Sequence, residues 1–474
     1  MKRCADWVVS HMKIEYIFLI VALIVSLYSA KHIPFPQIPD EQVHLRSIGY
    51  AFGAPSYTNE ILDDIFTSKW ISESMENKPV NFNIYYEKVS HKTKNVCKIT
   101  DLKPTISAVK YLPQGIGLYI GLMLHLTVYK CFWLSRLFSI LFYLLIGFIV
   151  LKLVPYRKDL FFFCLIMPMV IQQCSSISYD AVLIPVSFLL TAYILNLSVR
   201  EKPVGWRSIL LILFLTCVIA LIKIPYALLA GIILIVPRDK YQLYIGKKGN
   251  RQFDVAKWIY KFRILVIVLL IMIMALVMFI FRNHPYIKTF FACFINLRWF
   301  SFIVADSFYK LGDFYMRTFV GDIGRLQLSY SYPFIMIFFC VLTYLCIVGE
   351  EKDYEKMTAL TIKKRLWMVF LVACTVVVIF MSQVTWTFML NNYSLDESPS
   401  KIAYNLLNFT WIDGVQGRYF LPQFPALVIA LSGNRYTVSL SKDKKYYIAR
   451  KVFMILFYSY MLYRFCRLIL VRYR

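Results

Sequence analysis

Apolar residues fall in blocks of roughly 17–22 along the chain, separated by short polar stretches. That length carries a helix across a ~30 Å hydrocarbon core. The first block, about Ile14–Ala30, follows Lys13 and reads as a retained signal-anchor rather than a cleaved leader. Further runs lie near 132–151, 160–174, 181–198, 208–222, 224–237, 264–281, 332–348, 366–385, 419–432 and 452–471. The pattern predicts an all-α, polytopic transmembrane helix bundle of about 11 spans, forming one integral membrane domain over 1–474.

Basic residues orient these runs. Arg238–Arg263 holds eight of them, including Lys247, Lys248, Arg251, Lys257 and Lys261, and the positive-inside rule places it in the cytoplasm. Counting back puts Ser175–Asp180 outside, and counting forward from a cytoplasmic N-terminus puts 32–110 outside. The two counts agree only if 111–128, short and Gly-rich, lies on the outer surface or re-enters without crossing. The first outer loop is then 32–128 with juxtamembrane helices, and 282–331 and 386–418 are further outer loops. The last run ends in Arg464, Arg467, Arg472 and Arg474, and the pattern leaves open whether it crosses and on which side the C-terminus lies.

Composition agrees with the pattern. Apolar residues make up 59% and charged residues 17%, against about 45–50% and 25% in soluble proteins. A water-soluble multidomain chain is excluded. The net charge of +26 belongs to span ends and anionic headgroups, not to nucleic acid. Single cysteines, mostly inside apolar runs such as Cys164, Cys217, Cys293, Cys340 and Cys374, support neither a structural zinc nor a disulfide framework. The chain has no phosphate-cradling Gly-rich loop and no room for a cytosolic nucleotide domain, so any chemistry falls outside or within the membrane.

Candidate residues collect on the outer side. Pro34, Pro36 and Pro39 stop the first helix, and Asp40 and Glu41 open the next, where acidic groups suit the positive helix end. Asp40 and His44 share a face, with Arg46 two residues on. Adjacent carboxylates with a His supply a general base or ligands for a divalent metal ion; a plain helix cap explains the same acids without function. Asp180 opens a span after the polar hinge Gln172-Gln173-Cys174-Ser175-Ser176, and a carboxylate there needs a wet cavity or a partner. Lys223 interrupts an apolar stretch, as a snorkelling side chain or as a contact for an anionic lipid headgroup. Gly414-Val-Gln416-Gly-Arg418 enters another span, and the Arg418 fork matches phosphate oxygens. Arg136 is a weaker candidate.

Taken in order, Pro39-Asp40-Glu41-Gln-Val-His44-Leu-Arg46, Tyr111-Leu-Pro-Gln-Gly, Ser178-Tyr-Asp180-Ala, Lys223-Ile-Pro-Tyr and Gly414-Val-Gln-Gly-Arg-Tyr-Phe-Leu-Pro422 resemble the bacterial domain-of-unknown-function 2142 membrane family. That family is similar in turn to the GT-C glycosyltransferase superfamily. The resemblance implies a bundle of GT-C type in the cell membrane. It also implies sugar transfer from a polyprenyl-phosphate donor to a cell-envelope polysaccharide or glycolipid acceptor. On that resemblance Asp40 or Glu41 is the catalytic carboxylate, and His44, Arg46, Asp180, Lys223, Gln416 and Arg418 bind substrate. A polymerase, ligase or exporter of lipid-linked polysaccharide, or a non-catalytic membrane scaffold, would draw on the same outer residues.

Overall fold

The computed structural model describes residues 13–66, 81–245, 253–261, 265, 268, 272, 276, 278–349, 351–433 and 444–473. The run expected at 264–281 and the centre of the basic segment 238–263 lie largely outside them. The described residues are mainly helical, with a two-residue antiparallel pairing of Tyr244–Ile245 with Phe253–Asp254 and a few isolated bridges. Five helices are long and apolar enough to cross a membrane: Ile14–His32, Val128–Leu153, Asp180–Val199, Ile362–Leu390 and Ile448–Arg472 within the longer Lys444–Arg472. Pro285–Ile295 with Leu297–Val320, bent by 101°, would make six. The remaining expected runs are shorter or broken. Residues 158–174 divide into Lys158–Leu165 and Pro168–Cys174 at Pro168, which cannot continue the preceding helix. Trp206–Ile222 ends at Lys223, and Ile224–Ile235 continues as a tighter 3-10 helix.

The core forms where helices come close. We label Ile14–His32 α1, Glu41–Ala51 α2, Leu112–Met123 α3 and Val128–Leu153 α4. Helix α3 has 12 residues, about 18 Å at 1.5 Å per residue, too short to cross a ~30 Å core. It lies against α4 instead. A Cβ on Gly117 would sit 2.4 Å from the Leu134 carbonyl oxygen, and one on Gly121 would sit 2.9 Å from the Cys131 sulfur. Two glycines four residues apart therefore let two helix backbones touch, the small-residue packing that membrane helices use in place of a hydrophobic drive. Thr127 caps α4 by accepting from the Lys130 N–H at 3.4 Å.

Contacts define two polar ends of the bundle. At one end Arg157, fully buried, grips Asp159 through Nε at 3.1 Å and donates to the Leu345 and Cys346 carbonyls. Arg450 joins the same carboxylate at 3.0 Å. Lys240 donates to the Ser198 and Arg200 carbonyls, and Arg365 to that of Ser432. The other end carries Asp40. Helix Lys444–Arg472 runs the whole distance between them, starting beside Tyr344 through Tyr446 and ending with Arg472 on Gln327 and Tyr473 buried against Gly324. Residues 452–471 thus run the length of the bundle, and the chain's last described residues lie at the Asp40 end.

Candidate functional site

Adjacent carboxylates at the start of α2 meet opposite surroundings. Asp40 has a left-handed backbone, φ 64°, which is unfavourable for a side chain other than Gly, and its carboxylate does not cap the helix that follows. It turns instead to Arg418, whose Nη2 lies 2.6 Å from Oδ2. The Asp40 side chain remains 51% exposed while that of Arg418 is 2% exposed. Glu41 points inward. Arg136 holds it in a bidentate pair, Nε to Oε1 at 3.1 Å and Nη2 to Oε2 at 2.7 Å, with both side chains buried. The Ile177 N–H adds a further bond to Oε1 at 3.1 Å. Arg136 also donates to the Ala30 and Ile33 carbonyls, satisfying the loose end of α1.

Arg418 is delivered by a close backbone approach. The short 3-10 turn Gly417–Phe420 lies on helix Leu297–Val320, and the Gly417 N–H donates to Thr318 Oγ1 at 2.7 Å. A Cβ at 417 would fall 2.0 Å from the Tyr315 carbonyl oxygen, so only Gly fits. From that turn Arg418 Nη1 donates to Gln173 Oε1 at 3.2 Å and lies 3.8 Å from Asp180 Oδ2. Arg418 Nε is buried without a partner, as is Gln416 Oε1 two residues earlier. Lys223 closes the cluster: Nζ lies over the Tyr419 ring at 3.8 Å and the Tyr179 ring at 5.1 Å. No carboxylate lies within 4.0 Å of it among the described residues.

His44 is buried one turn along α2. Its Nδ1 is 3.0 Å from the Tyr111 hydroxyl, and its ring meets Tyr179 edge-on at 4.6 Å. Burial, aided by the nearby Arg418 and Lys223 charges and opposed by Asp40, pushes the imidazole down to about 3, so it is neutral at pH 7. Burial pushes Asp40 upward, but the charge and hydrogen bond of Arg418 outweigh it, with smaller help from His44 and Lys223. The carboxyl is held below its usual range.

The structure thus brings Asp40, His44, Asp180, Lys223 and Arg418 together, with Gln416 two residues from Arg418. It separates Arg46, which is exposed about 200° around α2 from His44. Asp40, Glu41 and His44 do not form a metal triad: Glu41 is committed to Arg136 and Ile177, and among the described residues no three His, Cys, Asp or Glu side chains are grouped to hold an ion. Gln173, Tyr111, Tyr179 and Tyr419 belong to the cluster, although sequence reasoning gave them no role. Gln173 carried a signal, as an amide in a polar hinge next to Asp180.

The fold and the cluster define a multi-pass membrane protein with a mixed-charge side-chain cluster at one polar end. The chain belongs to the predicted membrane protein family DUF2142, whose model matches residues 18–427. No curated protein and no solved structure matches it.

Glu41→Gln should destabilise the protein by about 3–5 kcal/mol, the usual cost of stranding one partner of a buried ion pair, and Asp40→Asn by much less because Asp40 is half in water. Unfolding of the two purified variants in detergent makes the comparison; equal losses would assign both acids the same role. Acid should also act through His44. The unfolded chain takes its proton near 6.5 and the folded chain near 3, so this stability is fully present above 6.5 and is lost as pH falls toward 3. The loss at pH 5 is about 2 kcal/mol. Asp40, depressed by Arg418, adds a loss of the same sign at lower pH. Melting temperature from pH 7 to 5 should fall in the wild type and flatten in His44→Gln.

Proposed function

We propose that the Asp40 end is extracytoplasmic, that the N-terminus is cytoplasmic, and that the cluster transfers a sugar from a polyprenyl-phosphate donor to a cell-envelope glycan. The observation that carries the reading is the Asp40–Arg418 pair, a half-exposed carboxylate on a buried guanidinium, with a second cation, Lys223, lying over the Tyr419 and Tyr179 rings. Asp40, Asp180, Arg418 and Lys223 balance in charge. An incoming phosphate must compete with a carboxylate for Arg418, and Asp40 is the one able to move into water.

The chemistry follows from that exchange. The donor phosphate takes Arg418 and Lys223, which stabilise the negative charge that grows on it as the bond from the sugar's anomeric carbon to the phosphate oxygen breaks. Asp40, relieved of Arg418, becomes more basic and accepts the proton of the acceptor hydroxyl while that oxygen bonds to the anomeric carbon. The bonding electron pair leaves with the polyprenyl phosphate. Asp180 and Gln173 hold Arg418 beside Asp40, Gln416 offers its amide to the sugar, and neutral His44 with Tyr111 supports the α2 turn beneath Asp40. Glu41 is the anchor of that turn rather than a second base. A ligase or exporter handling a lipid diphosphate would use the same two cations but would not need Asp40 as a base.

Asp40→Asn should reduce transfer by about 10²–10⁴-fold while leaving the protein folded, because an amide cannot take up the proton. Arg418→Lys should also lose turnover, since a single ammonium cannot grip two phosphate oxygens as the fork does. Release of free polyprenyl phosphate from a polyprenyl-phosphate sugar by purified protein reads both. Normal transfer by both folded variants would refute the mechanism and favour the export reading.

A further inference from the structure

Residues 282–331 do more than connect spans. Helices Pro285–Ile295 and Leu297–Val320, here α5 and α6, meet at a 101° bend at Asn296. They do not form one broken span. Lys288 Nζ, on α5, donates to the Leu395 carbonyl, and Thr318, on the last turn of α6, receives the Gly417 N–H, so both helices dock at the Asp40 end. Five charged residues along α6, Arg298, Asp306, Lys310, Asp313 and Arg317, also make a crossing costly.

Helix α5 is apolar on its exposed side as well as on its packed side. Thr289, Ala292 and Cys293 are buried, and Thr289 Oγ1 meets Thr385 Oγ1 at 2.7 Å. Lys288, Asn296 and Trp299 all turn their polar atoms to carbonyls of the protein, at Leu395, Ala403 and Leu406. On the opposite side Phe291, Phe294 and Ile295 form an exposed apolar patch beside Lys288, with Phe294 at 52% and Ile295 at 58%. Thr385 lies five residues before the end of the long apolar helix Ile362–Leu390, about 7.5 Å along its axis. The neighbouring Trp386 is exposed, as aromatic residues at headgroup depth are.

We infer that α5 lies in the leaflet at the Asp40 end, with Phe291, Phe294 and Ile295 sunk into the boundary between headgroups and acyl chains. Its apolar face continues the lipid-facing surface of Ile362–Leu390, and the exposed Arg298 at the bend suits a phosphate headgroup. Because α6 runs on from this seat to the backbone of Gly417, the elbow sets the depth of Arg418 relative to the bilayer. This inference stands apart from sugar transfer and holds whatever the Asp40–Arg418 cluster binds.

The test replaces Phe294, and separately Ile295, with p-benzoylphenylalanine in the full-length protein in phosphatidylethanolamine–phosphatidylglycerol vesicles. Irradiation products are read by mass spectrometry. Ile20, exposed on the membrane-crossing α1, is the lipid reference, and Lys401, exposed and paired with Glu397, is the water reference. Lipid adducts at 294 and 295 matching those at Ile20, and well above those at Lys401, support the seat. Adducts at the Lys401 level, or crosslinks between protein chains, overturn it.

Discussion

The buried pair of Glu41 and Arg136 is the contact on which the rest of the site end depends. It joins α2 to α4, and through the Arg136 and Glu41 hydrogen bonds it also holds the end of α1 at Ala30 and Ile33 and the hinge at Ile177. Segments at 30–33, 41, 136 and 177 thus converge on two side chains. Burying both charges costs several kcal/mol in desolvation, offset only when geometry is good and remaining hydrogen bonds are met. Here both oxygens and most guanidinium protons are used, so the pair is directional. It leaves the first loop one position to occupy.

That position determines the fate of the next residue. Asp40 precedes Glu41 by one residue, yet it faces solvent and borrows Arg418 from 378 residues away. One carboxylate is consumed by structure and its neighbour is free to exchange partners. Aromatic rings around Lys223 and His44 exclude water from the inner wall, which strengthens the charges and keeps His44 neutral. Stability and reactivity are thereby divided between adjacent acids, because the same main chain presents one to the core and one to water.

Much of this was legible in the sequence. Apolar block length exposed the membrane class, and isolated charges at span edges marked Asp40, Asp180, Lys223 and Arg418, which the structure gathers into one cluster. A charge at such a boundary is expensive, so each one stands out. The identity of partners was not legible. Glu41 and Asp40 look equivalent as a dipeptide, and only the packing that brings α4 to the start of α2, across 95 residues, gives Glu41 its arginine. Arg46 entered through the family resemblance, although helical geometry puts it on the far side of α2 from His44. The elbow at 282–331 read as an outer loop by counting from the basic segment 238–263, and the inward turn of its polar atoms appears only with the 395–406 segment in place.

Competition for Arg418 is the central claim, and phosphate affinity tests it most directly. A polyprenyl phosphate without sugar is titrated into purified wild-type, Asp40→Asn and Arg418→Lys protein, with binding read by native mass spectrometry. If Asp40 and phosphate share Arg418, removing the carboxylate's charge removes the competitor, so Asp40→Asn binds more tightly than wild type and Arg418→Lys more weakly. Unchanged or weaker binding by folded Asp40→Asn protein would contradict the exchange and leave Asp40–Arg418 as a static structural pair.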